Sequence, residues 1–427
     1  MFREVVPLKH LLHAVLALVL MLSFFYCSPS PDPEAFVAKI LRNPTASQAA
    51  FPGHQVPLAL ELKQRIQAAS TLRDLFIPAW FVKFENHPNG TVGRIDDAVF
   101  NGTHWFLLDG LQDEIFQFTS VGSFVKRLAS RGDGPGEYLE PLSIHLIHNQ
   151  QIAVSDRGKL LLFDAEGTYL QTLMLKDAHR WYLPYYGLIW DTPEQMFLGD
   201  FVSSPFDVDS PLHVILNRQG DAWVPTFGFG QRFALMEEAN KHGVPIWAHK
   251  AFAKVGNTVW SGSPYEATLE VYDLDGRFIG NPQRPVLNPL TRDDFLDQGL
   301  NQKKIQELRV EKVHNENLFP VADMVLVYSV GQWGQHSQSY DLFDQNGNFL
   351  VGGIHEDNPY TFVISSFDSY IVSQFPVMES LEAYQAALTQ EEQALLIASG
   401  WNPENFVSDN PYLVIGQWIG THHKGQP

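Results

Sequence analysis

Cysteine is nearly absent from this chain of 427 residues, which holds one, Cys27. A lone thiol excludes a framework of internal disulfides, so the fold must be held by packing and hydrogen bonds. Basic residues are also scarce, 29 Lys and Arg against 48 Asp and Glu, for a formal charge of −19. Nucleic-acid binding draws most of its affinity from clustered Lys and Arg, so no nucleic-acid partner is expected. The acidity instead keeps a large protein soluble. The apolar run at the N-terminus, Leu11 to Tyr26, has 16 residues, short of the roughly 20 of a comfortable membrane span. Reactive signatures are missing too: no Gly-x-Ser-x-Gly elbow, phosphate loop or dinucleotide fingerprint occurs, and Ser261 and Ser263 merely flank Gly262.

What the chain does carry is a repeat. Six short apolar runs are each closed by a small or polar residue: Trp105 to Leu108 before Asp109, Ile152 to Val154 before Ser155, Met196 to Leu198 before Gly199, Thr258 to Trp260 before Ser261, Val325 to Val327 before Tyr328 and Ser329, and Tyr370 to Val372 before Ser373. With Leu108, Val154, Leu198, Trp260, Val327 and Val372 as markers, the steps are 46, 44, 62, 67 and 45 residues, one short step with two insertions. A period of about 40 to 50 residues is that of a four-stranded sheet repeated around an axis. The expected fold is therefore all-β, a six-bladed β-propeller of four-stranded antiparallel blades, with short helical insertions and a helical N-terminal spacer. The 30 Phe, 14 Tyr and 10 Trp suit strands and the wide surfaces between blades.

A second repeat lies between the markers. Phe118 to Gly122, Phe163 to Gly167, Leu216 to Gly220, Tyr272 to Gly276 and Phe343 to Gly347 each place Gly four residues after an apolar residue, and each Gly leads into another apolar pair. Asp164, Asn217, Asp273, Asp275, Asp344 and Asn346 fill the turns between, so the pattern predicts hairpins with Gly at positive φ. Asp273 to Gly276 spells part of a calcium loop but lacks the downstream Glu, and is read as a turn.

At the N-terminus, Arg3 and Lys9 precede the apolar run, and Cys27, Ser28 and Pro29 follow it. A basic start before a short apolar segment is a secretory signal. With Cys27 where the run ends, it resembles bacterial lipoprotein signals, which implies lipidation of Cys27 and a membrane-anchored place in the cell envelope, in the periplasm or at the outer membrane. An uncleaved anchor, or secretion with Cys27 lost, are the alternatives. The expected division is an export segment over 1–27, a tether with short helices over 28–75, a propeller over 76–420 with helical insertions at about 287–308 and 379–399, and a tail over 421–427. Helices are expected at Glu34 to Leu41 and Leu58 to Ala69, and after Thr291 with Asp294 and Thr389 with Glu392. The last blade should pair Tyr412 to Trp418 with a strand from near the start of the propeller.

The stretch Arg131, Gly132, Asp133, Gly134, Pro135, Gly136, Glu137, with Phe124, Val125 and Leu128 before it and Pro141, Ile144, Val154, Asp156, Phe163 and Gly167 after it, resembles the six-bladed propeller lipoproteins of bacteria, relatives of the NHL-repeat group. The resemblance covers about two blades and implies a Gly-Pro-Gly-Glu loop joining one blade to the next. Arg131 and Glu137 are expected to pair across that loop or to face a ligand. Some NHL relatives are lyases that hold a metal in the channel with His residues. Here His145 and His249 fall in the expected innermost strands of blades two and four, and Asp96 and Asp97 in that of blade one. A metal needs three or four converging ligands and a third His is missing from the pattern, so no metal and no cofactor are expected.

Two functions of different class follow. One is an exported envelope propeller, a monomer that binds a protein or small-molecule ligand through its loops, with Arg131, Glu137, His145 and His249 as candidate binding residues and contact with the membrane only through its N-terminal lipid or anchor. The other is an enzyme at the channel mouth, of the metal-dependent lyase or lactonase type.

Overall fold

The computed structural model describes residues 60–147, 150–156, 159–174, 188–199, 213–220, 222–229, 251–263, 265, 267–286, 288–291, 293–296, 301–333, 336–357, 359–375, 381–399 and 411–424. The expected helix at Glu34 to Leu41, together with Cys27 and His249, lies outside them.

The described strands form six four-stranded antiparallel sheets. The first strand, β1 (Phe76–Lys83), is set aside for the last sheet. Blade one is β2 (Ile95–Phe100), β3 (His104–Asp109), β4 (Glu114–Thr119) and β5 (Phe124–Arg127), in that spatial order. Blade two is β6 (Pro141–Leu146), β7 (Ile152–Asp156), β8 (Lys159–Phe163) and β9 (Tyr169–Met174). Blade three is β10 (Leu188–Thr192), β11 (Gln195–Gly199), β12 (His213–Gln219) and β13 (Ala222–Phe229), and blade four is β14 (Ala251–Val255), β15 (Thr258–Gly262), β16 (Leu269–Asp273) and β17 (Phe278–Gly280). Blade five is β18 (His314–Val321), β19 (Met324–Trp333), β20 (His336–Asp344) and β21 (Phe349–Ile354). Blade six takes β22 (Phe362–Phe367), β23 (Tyr370–Gln374) and β24 (Tyr412–Trp418), then closes the ring with β1, paired from Phe76 opposite Trp418 to Lys83 opposite Tyr412. The first strands of the sheets gather round the axis: β2 lies beside β6 and β22, and β18 beside β14 and β22.

Both sequence repeats have structural causes. The marker runs are the second strands, buried from both sides because each sheet is covered by two neighbours; Trp105 and Trp260 are fully buried there. Each such side chain contributes about 1.5–3 kcal/mol on leaving water. A polar residue one or two positions past the marker holds the chain arriving from the previous blade. Asp109 accepts the Gly93 amide at 2.6 Å, Asp156 the Leu139 and Glu140 amides at 3.0 and 2.9 Å, and Ser373 the Thr361 and Phe362 amides at 3.2 Å. Blade five uses a side chain instead. Arg284, arriving from blade four, donates to Ser329, to Asp341, to the Ala267 carbonyl and to Asn315. The second repeat is the hairpin between third and fourth strands. Its glycines 122, 167, 220, 276 and 347 have φ from +65° to +88°, and Asp273 bonds the Asp275 and Arg277 amides as a plain turn.

The expected helix at Leu58 to Ala69 is found as Leu60–Ala68, whose Leu62 and Ile66 join the apolar cluster of blades five and six. The insertion before blade five forms Asp293–Leu296 and Gln302–Glu311, the latter running past 308 because Ile305 and Leu308 are buried and the Lys312 amide bonds the Leu308 carbonyl. The insertion in blade six forms Leu381–Ala387 and Gln390–Ala398, the second opened by the expected Thr389 and Glu392 capping box. Among the described residues no helix is long and apolar enough to cross a membrane.

Candidate functional site at the channel mouth

Connections between blades and the loops between second and third strands share one end of the propeller, here termed the connection face. The Gly-Pro-Gly-Glu loop lies on it. Its glycines exist for Glu137: the carboxylate accepts the Gly134 amide at 2.8 Å and the Ser130 hydroxyl at 3.2 Å, and a Cβ on Gly132 would overlap it. Gly136 has φ +77° and packs on the Tyr169 ring, 2.9 Å from where a Cβ would stand. Lys159 fixes the loop from beneath, with Nζ 3.0 Å from the Glu137 carbonyl and 3.3 Å from Asp156. The expected pairing of Arg131 with Glu137 is replaced. Arg131 reaches Asp113 of blade one at 4.0 Å, with 69% and 38% of the two side chains exposed, a pair that contributes little. The loop's own donors have already taken Glu137.

The axial strands carry the other candidates. Asp97 on β2 accepts the Ile144 amide of β6 at 2.9 Å, and Ser365 of β22 donates to the Ala98 carbonyl at 2.5 Å, so neighbouring axial strands are tied side chain to backbone. Burial pushes the Asp97 carboxyl up to about 6, against the amides of Ile144 and Ala98 that favour its charge. His145 lies one residue past Ile144 but on the opposite side of β6, its Nε2 2.8 Å from the Ser143 hydroxyl, which itself bonds Ser155 at 3.0 Å. Burial pushes the imidazole down to about 4. Asp97 and His145 are thus separated by the strand. A second Ser and His contact, Ser261 with His213 at 2.7 Å, joins blades three and four, but both side chains are 0% exposed, which closes that pair to substrate. Among the described residues no three or more His, Cys, Asp or Glu side chains converge as a metal site.

A further polar cluster stands at the mouth beside blade five, where the sequence offered no motif. The pairing of β18 with β19 slips between Asn315 and Asn317, leaving Glu316 as the extra residue of a bulge, and bulges re-aim side chains. Glu316 accepts from Arg309 of the inserted helix at 2.5 Å and from His314 Nε2 at 2.8 Å. Burial alone would raise its carboxyl, yet the His314 hydrogen bond and the Arg309 charge hold it below the ordinary value. Tyr328, opposite Asn317, and Tyr340, opposite Tyr328, fill the interface with blade six, their rings 5.1 Å apart. The Tyr340 hydroxyl donates to Glu356 at 3.0 Å. Burial pushes the Glu356 carboxyl up to about 7, with the Tyr340 hydrogen bond opposing. Phe362 of β22 meets Tyr328 edge-on at 5.5 Å and stays 41% exposed. A faint signal was present in the sequence, since Glu316 lies two residues after His314, but the insertion ahead of β18 hides its alignment with the other axial strands.

A radial all-β scaffold of six four-stranded sheets belongs to the six-bladed propellers, a class in which activity is set by the loops and not by the fold. The particular family is given by the sequence: residues 64–281 match the family DUF5128, described as 6-bladed beta-propeller, and the chain belongs to it. No curated protein matches the chain. Among solved structures it is similar to a candidate exported protein of Bacteroides fragilis, with a TM-score of 0.56, 14% identity, and coverage of 82% of this chain and 98% of that one. It is also similar to a DUF4221 family member of Bacteroides vulgatus (TM-score 0.45, 10% identity, 80% and 97% covered) and to a streptogramin B lyase (TM-score 0.40, 10% identity, 69% and 80% covered). At such identities the likeness is one of fold.

Proposed function

We propose that this chain is an exported propeller of the bacterial cell envelope, anchored through Cys27, that binds a ligand at the mouth of its channel on the connection face. The cluster of Glu316, Tyr328, Glu356 and Phe362 carries the binding part, because it combines desolvated polar groups with an exposed aromatic ring on a rigid scaffold. Export is supported by the basic start, apolar run and Cys27, and by the designation of the similar B. fragilis protein as a candidate exported protein. Mass measurement of the mature N-terminus tests the address: a lipidated Cys27 is expected, and an intact Met1 or an unlipidated start refutes the anchor. Equilibrium binding of a panel of amines, sugars, dicarboxylates and short peptides tests the mouth. A ligand whose affinity drops when Phe362 is replaced by Ala is expected, and indifference of every bound probe to changes on the connection face refutes the reading.

A second reading, a lyase or lactonase, draws on Asp97 and His145, both half-buried and shifted in opposite senses on axial strands. Stoichiometric divalent metal in the purified protein, lost when His145 and His249 are replaced together, would favour it.

A further inference from the structure

We propose that the mouth beside blade five takes an organic cation, an alkylammonium or guanidinium group, seated between Glu356 and the hydroxyl of Tyr328 with its apolar stem along Phe362. This deepens the binding reading above and rests on it.

The observations come from three elements that the fold brings together. Tyr328 is 5% exposed, yet among the described residues its hydroxyl has no hydrogen-bond partner. The hydroxyl is not one of the fully enclosed unpaired polar atoms, so it keeps access to solvent and to a ligand. It lies within electrostatic reach of Glu356 and Glu316, and its ring packs 5.1 Å from that of Tyr340, whose hydroxyl bonds Glu356. The two acids are not equivalent. Glu316 is already matched by Arg309 and His314. Glu356, by contrast, accepts one hydrogen bond, from the neutral hydroxyl of Tyr340, and no cationic side chain stands against it among the described residues. The site therefore lacks a positive charge at a defined place.

The walls fit the same occupant. Tyr328 packs against Tyr340, whose hydroxyl bonds Glu356, and against Phe362, which is open to solvent, and ring faces attract cations once water is excluded. An anion would meet the Glu356 carboxylate, and the Arg309 guanidinium is engaged with Glu316. A neutral sugar would bring hydroxyls but no charge for Glu356. The formal charge of −19 also raises the local concentration of cations around the whole protein. The cation could belong to a free amine or to a basic side chain of a peptide; the chemistry recognised is the same.

Isothermal titration of the full chain with agmatine tests this, with acetyl-arginine amide, an arginine-containing tetrapeptide, maltose and glutarate titrated in parallel. One agmatine per chain is expected. Glu356→Gln should weaken it about tenfold or more, the loss of a charge-assisted contact, and Tyr328→Phe should weaken it less. Arg277→Ala, on a hairpin at the opposite end of its blade, should leave it unchanged. Should Glu356→Gln not fold by circular dichroism, the exposed Phe362→Ala serves instead, with the same direction expected. Tighter binding of the arginine tetrapeptide than of agmatine assigns the cation to a peptide, and the reverse to a free amine. No binding of any cation, or cation binding indifferent to Glu356→Gln and Phe362→Ala, overturns the proposal. Maltose or glutarate bound in place of the cations and lost in Phe362→Ala overturns it while leaving the broader binding reading intact; no probe sensitive to any connection-face substitution removes both.

Discussion

Replacing Arg284 by Met should destabilise the propeller more than any surface change. The side chains of Arg284 and Asp341 are 4% and 0% exposed, and the guanidinium also serves Ser329, Asn315 and the Ala267 carbonyl. Without it, Asp341 keeps the Gly353 amide at 3.0 Å but loses its counter-charge, and three other acceptors lose a donor. Breaking a buried pair from one side costs about 3–5 kcal/mol. With a urea slope of about 3 kcal/mol/M, that is a fall in midpoint of about 1–1.7 M. The double change Arg284→Met with Asp341→Leu should recover much of the loss, since no charge is then left buried. Arg277→Ala supplies the scale: Arg277 and Asp275 are both 67% exposed, and their pair is worth about 0.5 kcal/mol or less. Urea unfolding followed by tryptophan fluorescence measures all four proteins. An Arg284→Met midpoint no lower than that of Arg277→Ala, or a double variant no more stable than Arg284→Met, would refute the reasoning.

Folding raises the carboxyls of Asp97 and Glu356 to about 6 and about 7, so their protonated forms stabilise the fold at low pH, and that contribution is lost as pH rises through those values. Glu356→Gln, which cannot ionise, should therefore gain on the wild type in urea midpoint from pH 5 to pH 8; a loss over that range contradicts the assignment. Tyr360→Phe removes the hydroxyl that bonds the Phe76 carbonyl at 3.1 Å across the closing sheet, and should cost about 1 kcal/mol, read as a midpoint shift that a distant Tyr on the surface would not show.

The fold was legible because its two repeats are each one physical requirement met in blade after blade. A second strand covered on both faces must be apolar, and a polar residue near its end holds incoming amides, so Asp109, Asp156 and Ser373 stand one or two positions past their markers. A hairpin turn needs positive φ, so Gly recurs with Asp before it. Ring closure by Tyr412 to Trp418 could be foreseen because that segment had no partner after it in sequence. The candidate site was not legible in this way. Glu316, Tyr328 and Glu356 belong to an axial strand, the strand beside it and a connection, and Arg309 comes from an inserted helix that the repeat does not contain. The Arg131 and Glu137 pair failed for a local reason, since sequence shows two opposite charges but not the amide of Gly134 that reaches the carboxylate first.

Blade six draws β1 from the beginning of the described chain and β24 from its end, with Lys83 and Tyr412 at the two sides of one register. During synthesis β1 must therefore wait for about 330 further residues before its partner exists, roughly 15–65 s at 5–20 residues per second. Through that interval Phe76, Phe81 and Val82, all buried once the ring is shut, have no sheet to join. A nascent chain of this design carries a sticky early segment for most of its time on the ribosome, and a late stall or premature stop leaves an open arc with two raw edges instead of a smaller ring.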